Sequence, residues 1–207
     1  MVYIINHKDL SGNLKTNNMD NLSFGQRIDQ ENGLCELWLT HGALDAIKGM
    51  DLSDKVVWMF GAGKGDLWLS KRCKELHVVE RNGDWLNSCV SIKESNRADN
   101  LFYYYRPCND SSGMDKYYLE IPNDIDSDII INDDSYRTEC CQMAIDYFKK
   151  RGGGILICDN YWQDYVWKSP IAIEWLEPFE KHIYSQPDHR DFEEEGCEWK
   201  TAIVFIK

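Results

Sequence analysis

Residues 55–80, KVVWMFGAGKGDLWLSKRCKELHVVE, read as strand, glycine turn, helix and strand, and this reading decides the fold. Val56, Val57, Trp58, Met59 and Phe60 form a short continuous apolar run, the pattern of a strand covered on both faces in a parallel sheet. Gly61, Ala62, Gly63, Lys64 and Gly65 interrupt it. Small residues at the carboxyl end of a buried strand let the backbone come close to a ligand, and the start of the next helix offers free N–H groups. Asp66 can cap that helix. Leu76 to Val79 predict a second strand running into Glu80, a carboxylate at the same sheet edge where it can accept the hydroxyls of a ribose. Together these residues predict a nucleoside-binding crevice.

Outward from this unit, strands and helices alternate. Leu34, Leu37, Trp38, Ala43, Leu44 and Ile47 recur near helical spacing, which predicts a helix from Gly33 to Lys48 stopped by Gly49. Asn82 to Glu94 predict a second helix and Leu101 to Tyr105 a third strand. Asn109 and Asp110 follow, placed either to meet the exocyclic amine of an adenine or to form an ordinary turn. Asp128 to Asp134 read as a fourth strand ending in acids, and Thr138 to Arg151 as a helix stopped by Gly152, Gly153 and Gly154. Ile155 to Cys158 predict a fifth strand leading into Asp159 and Asn160. A helix from Ser169-Pro170 through Phe179 and two last strands, His182 to Ser185 and Ala202 to Ile206, complete the pattern as a closing hairpin. The glycines, Glu80, Asn109, Asp133 and Asp159 all fall at carboxyl ends of strands, where open α/β sheets bind their ligands.

A chain of 207 residues suits one domain with a sizeable core. The polar residues 1–32 are expected to form an arm or lid, and residues 33–207 the domain. No basic segment followed by an apolar stretch opens the sequence and no apolar run reaches membrane-spanning length, so a soluble, cytoplasmic protein without membrane contact is expected. The 8 cysteines include no Cys-x-x-Cys pair, which points to reduced thiols and away from zinc. A formal net charge of -12 offers no attraction to a phosphate backbone, so no nucleic-acid partner is expected.

The stretch DLSDKVVWMFGAGKGDLWLSKRCKELHVVERNGDW, together with DSYRTECC and GGGILICDN, resembles class I S-adenosylmethionine-dependent methyltransferases, within a bacterial and viral subgroup. The resemblance runs from about Gly33 to the last residue. It implies a three-layer α/β, Rossmann-like fold with a mostly parallel seven-stranded sheet and a C-terminal antiparallel hairpin. It also implies S-adenosylmethionine as cofactor. Phe60, Gly61, Ala62, Gly63 and Gly65 are similar to the family's glycine-rich loop, and Glu80, with Arg81 beside it, matches the ribose acid. Asn109 stands at the adenine end, and Asn132 and Asp133 where the fourth strand meets the methionine end and the substrate. Met59 departs from the pattern: the family usually carries an acid there to hold the cofactor's amino group, which here must come from elsewhere, such as Asp66 or Asp133. A nicotinamide enzyme is the first competitor, but dinucleotide sites want G-x-G-x-x-G, and Asp66 stands in the third glycine's place.

Methyl transfer from a sulfonium is an in-line displacement, so the protein must chiefly hold the acceptor and exclude water. A base or a cation helps where the acceptor is a hydroxyl or an amine. Asp133, Asp159 and Asn160 resemble the metal triad of catechol-type O-methyltransferases and supply the hard oxygens that Mg²⁺ accepts. The other reading has Asp133 on the cofactor amine, with Asp159 and Asn160 capping the next segment. The expected reaction is methylation of a small-molecule acceptor, at oxygen, with Asp133, Asp159 and Asn160 catalytic. Tyr161 and Trp162, ahead of Tyr165 and Trp167, are candidates for the acceptor pocket, or else cover the sheet or make a homodimer contact. Arg137 can bind an anionic substrate group through its fork, or be a solvated helix-start arginine. A base methylase is disfavoured because no proline follows Asn132 and Asp133 to shape a flipped-base pocket. From another class, a methyltransferase-like module that binds cofactor or partner without catalysis fits the same fold.

Overall fold

The computed structural model describes residues 26–108, 116–161, 171–187 and 198–207. Seven strands are numbered in chain order: β1 (Val56–Phe60), β2 (Glu75–Glu80), β3 (Leu101–Tyr105), β4 (Ile129–Asn132), β5 (Gly154–Cys158), β6 (Glu180–Pro187) and β7 (Glu198–Ile206). They form one sheet in the order β3-β2-β1-β4-β5-β7-β6. β1 pairs in parallel with β2 and β4, β4 with β5, and β2 with β3, while β7 runs antiparallel to β5 and β6. The chain order reverses between β1 and β4, so their carboxyl ends diverge into the crevice that open α/β sheets use for ligands.

Period-two alternation along the strands divides the core into two layers. Trp58, Phe60, Val79, Ile130 and Leu156 pack on one face with Cys140, Ala144, Ile145 and Phe148 of α5 (Arg137–Arg151). Val57, Met59, Val78, Ile129, Ile131 and Ile157 pack on the other with Leu44 and Ile47 of α1 (His41–Lys48) and with Trp68 and Leu69 of α2 (Asp66–Ser70). Met59 is thereby a core residue, 2% exposed. α3 (Gly83–Asn96) follows β2, α4 (Lys116–Leu119) precedes β4, and α6 (Ile171–Leu176) lies between β5 and β6. Gly152 ends α5 in the left-handed conformation (φ 94°), the helix stop expected of it. No helix among the described residues is long and apolar enough to cross a membrane.

One expectation changes. The helix predicted from Gly33 begins only at His41. Ahead of it the chain turns at Gly33 (φ 69°), bridges Ile28 to Cys35, and lays the Leu37 backbone beneath the glycine turn. Leu37 is buried there and Leu34 is half-buried against the same core layer, in a turn rather than a helix. Residues 26–32 are anchored to the domain: buried Asp29 accepts from the Trp68 indole (2.7 Å) and Arg72 (2.9 Å). The hydrogen bonds from the Glu31 N–H, Arg72 and Trp68 outweigh the upward push of burial, and the Asp29 carboxyl titrates at about 2. α4 has no counterpart in the sequence reading, because four residues are too few to establish a period.

Candidate active site

The glycine turn is built by close approach. Gly61 has φ 89°, and a Cβ there would stand 2.2 Å from the Asp133 carbonyl oxygen. A Cβ on Gly65 would meet the Leu37 backbone at 2.6 Å. β1, the β4 loop and the 33–40 segment thus touch through glycines. Asp66 does not cap α2, whose N-cap is Gly65. It reaches back instead to accept from the Gly63 N–H through both oxygens (3.1 and 3.0 Å) and from the Tyr103 hydroxyl (2.9 Å). Burial pushes its carboxyl up to about 7; the bonds from Gly63 and Tyr103 oppose the shift, and neighbouring Glu80 adds to it.

Glu80, at the end of β2, is 6% exposed and pins three backbone donors. Its Oε2 accepts from the Ala62 N–H (2.9 Å), and its Oε1 from those of Arg81 (2.8 Å) and Asn82 (2.7 Å). A carboxylate has about four lone-pair positions, so one acceptor position remains on Oε2. The expected grip on both ribose hydroxyls therefore reduces to one. Arg81 crosses toward the β4 loop, donating to Ser135 Oγ (2.9 Å) with its guanidinium over the Tyr136 ring. Trp85, 40% exposed, donates its indole N–H to the Ala62 carbonyl. These groups line one pocket of about 520 Å³ together with Gly61, Ala62, Asn82, Cys108, Asp133, Asp134 and Arg137. That volume lies within the range of cofactor sites. A larger hollow of about 1180 Å³ between the 119–126 segment and α5 shares no residue with it and contains none of the candidate site residues.

Asp133, Asp159, Asn160 and Arg137 do come together. Arg137, the first residue of α5, is the hub: Nη2 donates to Asp133 Oδ1 (2.9 Å) and Asn160 Oδ1 (2.7 Å), Nε to the Asp159 carbonyl (3.1 Å), and Nη1 to the Asp134 carbonyl. Asp159 Oδ1 is taken by the Trp199 indole (2.9 Å) and Thr201 hydroxyl (3.0 Å), and its Oδ2 lies 3.9 Å from Nη2 of Arg137. Asn160 holds its amide there from the left-handed conformation (φ 51°), which asparagine tolerates better than most residues. Burial and then the Asp159 charge raise the Asp133 carboxyl well above the ordinary carboxylate range, against the pull of Arg137. Burial raises Asp159 likewise, again opposed by Arg137.

Of the two readings of Asp133, Asp159 and Asn160, the Mg²⁺ site does not fit this donor set. Mg²⁺ requires near-octahedral oxygens at about 2.0–2.1 Å. Here a guanidinium nitrogen lies within hydrogen-bonding distance of both the Asp133 and the Asn160 oxygens, and Asp159 Oδ1 is spent on two other donors. Among the described residues no group of three or more His, Cys, Asp or Glu side chains is placed to hold a metal ion. Arg137 is neither solvated nor a free fork for a substrate anion, since its side chain is 11% exposed and bonded on all three nitrogens.

Other candidates sit elsewhere. Phe60 is wholly buried in the core, and only its backbone belongs to the turn, its carbonyl accepting from the Asp133 N–H (3.2 Å). Asn132 is fully buried and ties the start of α5 by donating to the Arg137 carbonyl (2.7 Å). Tyr161, 1% exposed, packs in the core rather than lining the pocket. Asn109 and Trp162 lie outside the described residues. Sequence reasoning passed over Trp85, Cys108 and Ser135, which line the pocket; Trp85 alone left a signal, as an aromatic in the first turn of the helix after Glu80.

This sheet order, with its antiparallel hairpin at one edge, is the Rossmann-like fold of class I S-adenosylmethionine-dependent methyltransferases. No protein-family model matches the chain, and a search of curated proteins finds no match. Among solved structures, the chain is similar to precorrin 8W decarboxylase from Methanobacterium thermoautotrophicum, with TM-score 0.55, 16% identity, and coverage of 81% of this chain and 90% of that one. It is also similar to the O-methyltransferase TomG from Streptomyces achromogenes, involved in tomaymycin synthesis and solved in complex with S-adenosylmethionine, with TM-score 0.55, 13% identity, and coverage of 74% and 73%. An rRNA methylase from Streptococcus thermophilus matches with TM-score 0.51, 13% identity, and coverage of 81% and 96%. At these identities the likeness is one of fold.

Proposed function

We propose that this chain binds S-adenosylmethionine in the pocket between the ends of β1, β2 and β4 and transfers its methyl group to a small-molecule acceptor, at oxygen. The carrying observation is the convergence on that pocket of the rigid Gly61–Ala62 turn, a Glu80 carboxylate with one acceptor position left, and Asp133 at the opposite wall. Fit to the donor rests on these groups. Glu80 takes one ribose hydroxyl, while Arg81 and Trp85 supply flat faces at the same end. Asp133 Oδ2 carries no hydrogen bond among the described residues and is the carboxylate left for the amino group that Met59 cannot serve, or for an acceptor proton.

S-adenosylmethionine supplies an electrophilic methyl carbon on a sulfonium. The chain's own part is then to fix the acceptor in line, to exclude water, and to receive a proton at Asp133 if the acceptor sheds one. The formal net charge of -12 favours a small acceptor over an RNA or DNA backbone. Calorimetric titration with S-adenosylmethionine, S-adenosylhomocysteine and NAD tests the reading. Binding of the first two but not the third is expected, followed by methyl transfer in an acceptor screen. Binding of NAD alone overturns it, and cofactor binding without turnover over a broad acceptor panel would make the chain a binding module.

A further inference from the structure

We infer that Arg137 is the built-in cation of this site: its guanidinium joins Asp133 of the pocket wall to Asp159 and Asn160 buried behind it, and so stands where a divalent metal ion would otherwise be bound. The placement is not one a helix would select. An arginine in the first turn opposes the helix dipole, which favours negative charge there. Here the side chain instead turns back on the residues ahead of its own helix and across to the end of β5. It makes four charge-assisted hydrogen bonds, to Asp133 Oδ1, Asn160 Oδ1 and the carbonyls of Asp134 and Asp159. Two carboxylates are thereby compensated by a single charge that is only 11% exposed. The planar fork suits this task because it meets several oxygens at once, which a lysine point charge cannot do. Take the guanidinium away and Asp133 Oδ1, Asn160 Oδ1 and Asp159 Oδ2 are left as hard donors of the kind Mg²⁺ or Mn²⁺ accepts, while Asp159 Oδ1 stays on Trp199 and Thr201.

A consequence, which rests on the methyl-transfer reading above, concerns the acceptor. With the guanidinium in the cation's place, Asp133, whose Oδ2 carries no hydrogen bond among the described residues, is the pocket-wall carboxylate that takes the acceptor proton. Proton transfer is efficient when donor and acceptor pKa values are close. Oxygen acids such as phenols and enols are therefore the fitting class, and aliphatic alcohols are not. In the balanced step the acceptor oxygen bonds the methyl carbon as the carbon–sulfur bond breaks, and the proton passes from that oxygen to Asp133.

The test is a Mn²⁺ titration followed by electron paramagnetic resonance on the full chain, with S-adenosylhomocysteine binding measured on the same samples. Wild type is expected to bind no stoichiometric Mn²⁺. Arg137→Ala, and Arg137→Gln as the variant that keeps a neutral polar side chain if Ala fails to fold, should each gain one Mn²⁺ at roughly the 0.1–1 mM affinity of weak oxygen sites. Asp133→Asn in the same background should remove it, and Arg137→Lys should gain none. One Mn²⁺ bound by wild type and lost with Asp133→Asn overturns the inference, as does a folded Arg137→Ala or Arg137→Gln protein that gains none. Wild type that binds Mn²⁺ and S-adenosylhomocysteine refutes the internal cation while leaving the methyl-donor reading intact. Wild type that binds neither does the reverse. Once an acceptor is in hand, turnover of phenolic or enolic acceptors should be unchanged by a chelator, and a chelator-sensitive reaction or a preference for aliphatic alcohols overturns the consequence.

Discussion

Replacing Glu80 with Gln isolates the carboxylate on which the proposed cofactor site depends. In wild type the Arg81 and Asn82 N–H groups share Oε1, and the Ala62 N–H takes one side of Oε2. Gln preserves the shape and can keep its oxygen on Arg81 and Asn82. Its amide nitrogen then faces the Ala62 N–H, donor against donor, and no acceptor is left for a ribose hydroxyl. A hydrogen bond to a charged group contributes about 1.5–3 kcal/mol. Loss of the ligand's bond should therefore raise the Kd for S-adenosylhomocysteine by roughly 10- to 150-fold in isothermal titration calorimetry. Loss of the Ala62 bond should separately lower the Tm of the free protein by about 3–12 °C, at about 2–4 °C per kcal/mol for a chain of this size. The two readouts separate two roles. A lowered Tm with unchanged affinity would show that Glu80 only pins the glycine turn, and the proposed ribose contact would be wrong. Unchanged values in both would refute the bonding pattern itself.

Three further perturbations test other parts of the same construction. Asp66 has its folded pKa raised to about 7 from an ordinary 3.8, so the stability given by its neutral form is complete below 3.8 and is lost as pH rises through about 7. Thermal melts should show wild type losing stability between about pH 4 and 7, and levelling off above, relative to Asp66→Asn, which mimics the protonated acid; parallel curves would show that Asp66 does not titrate there. Gly61→Ala adds a Cβ 2.2 Å from a backbone oxygen at a φ of 89°, and should cost about 1–3 kcal/mol in backbone strain plus the displacement of the β4 loop. The check is calorimetry, where near-wild-type affinity would deny that the turn shapes the pocket. Asp29→Ala should remove the tether on Trp68 and Arg72 and lower stability by about 1.5–3 kcal/mol without changing cofactor affinity, as read by urea unfolding beside a binding isotherm.

The order of elements was legible because its signals are local. The apolar run Val56–Phe60, the aromatic run Leu101–Tyr105 and the glycines after Arg151 each announce themselves within a few residues, and the strands fall where those signals stand. What escaped is tertiary in origin. Leu34 and Leu37 satisfy a helical spacing, yet the backbone there must lie against Gly65, and that contact between distant segments overrides the local pattern. Asp29 has no readable sign at all; a carboxylate in a polar N-terminal segment looks solvated until Trp68 and Arg72 are folded around it.

The site shows the same division, with one instructive difference. Position along the sheet edge is a property of topology, and it placed Gly61, Glu80, Asp133, Asp159 and Asn160 near one another from their order in the chain. Function at that edge is a property of which donor meets which acceptor, and oxygens alone do not say what cation they serve. Mg²⁺ and a guanidinium both call for carboxylate and amide oxygens; they differ in distance, charge and geometry, none of which the sequence writes down. The residue that separates the two, Arg137, stands four positions beyond Asp133 and opens the next helix, where a basic side chain is out of place for the helix dipole. An arginine against the dipole, one turn beyond a strand-end acid, is the observation from which an internal cation could have been read. Its reach to Asn160 and the Asp159 carbonyl, more than twenty residues on, could come only from the folded sheet.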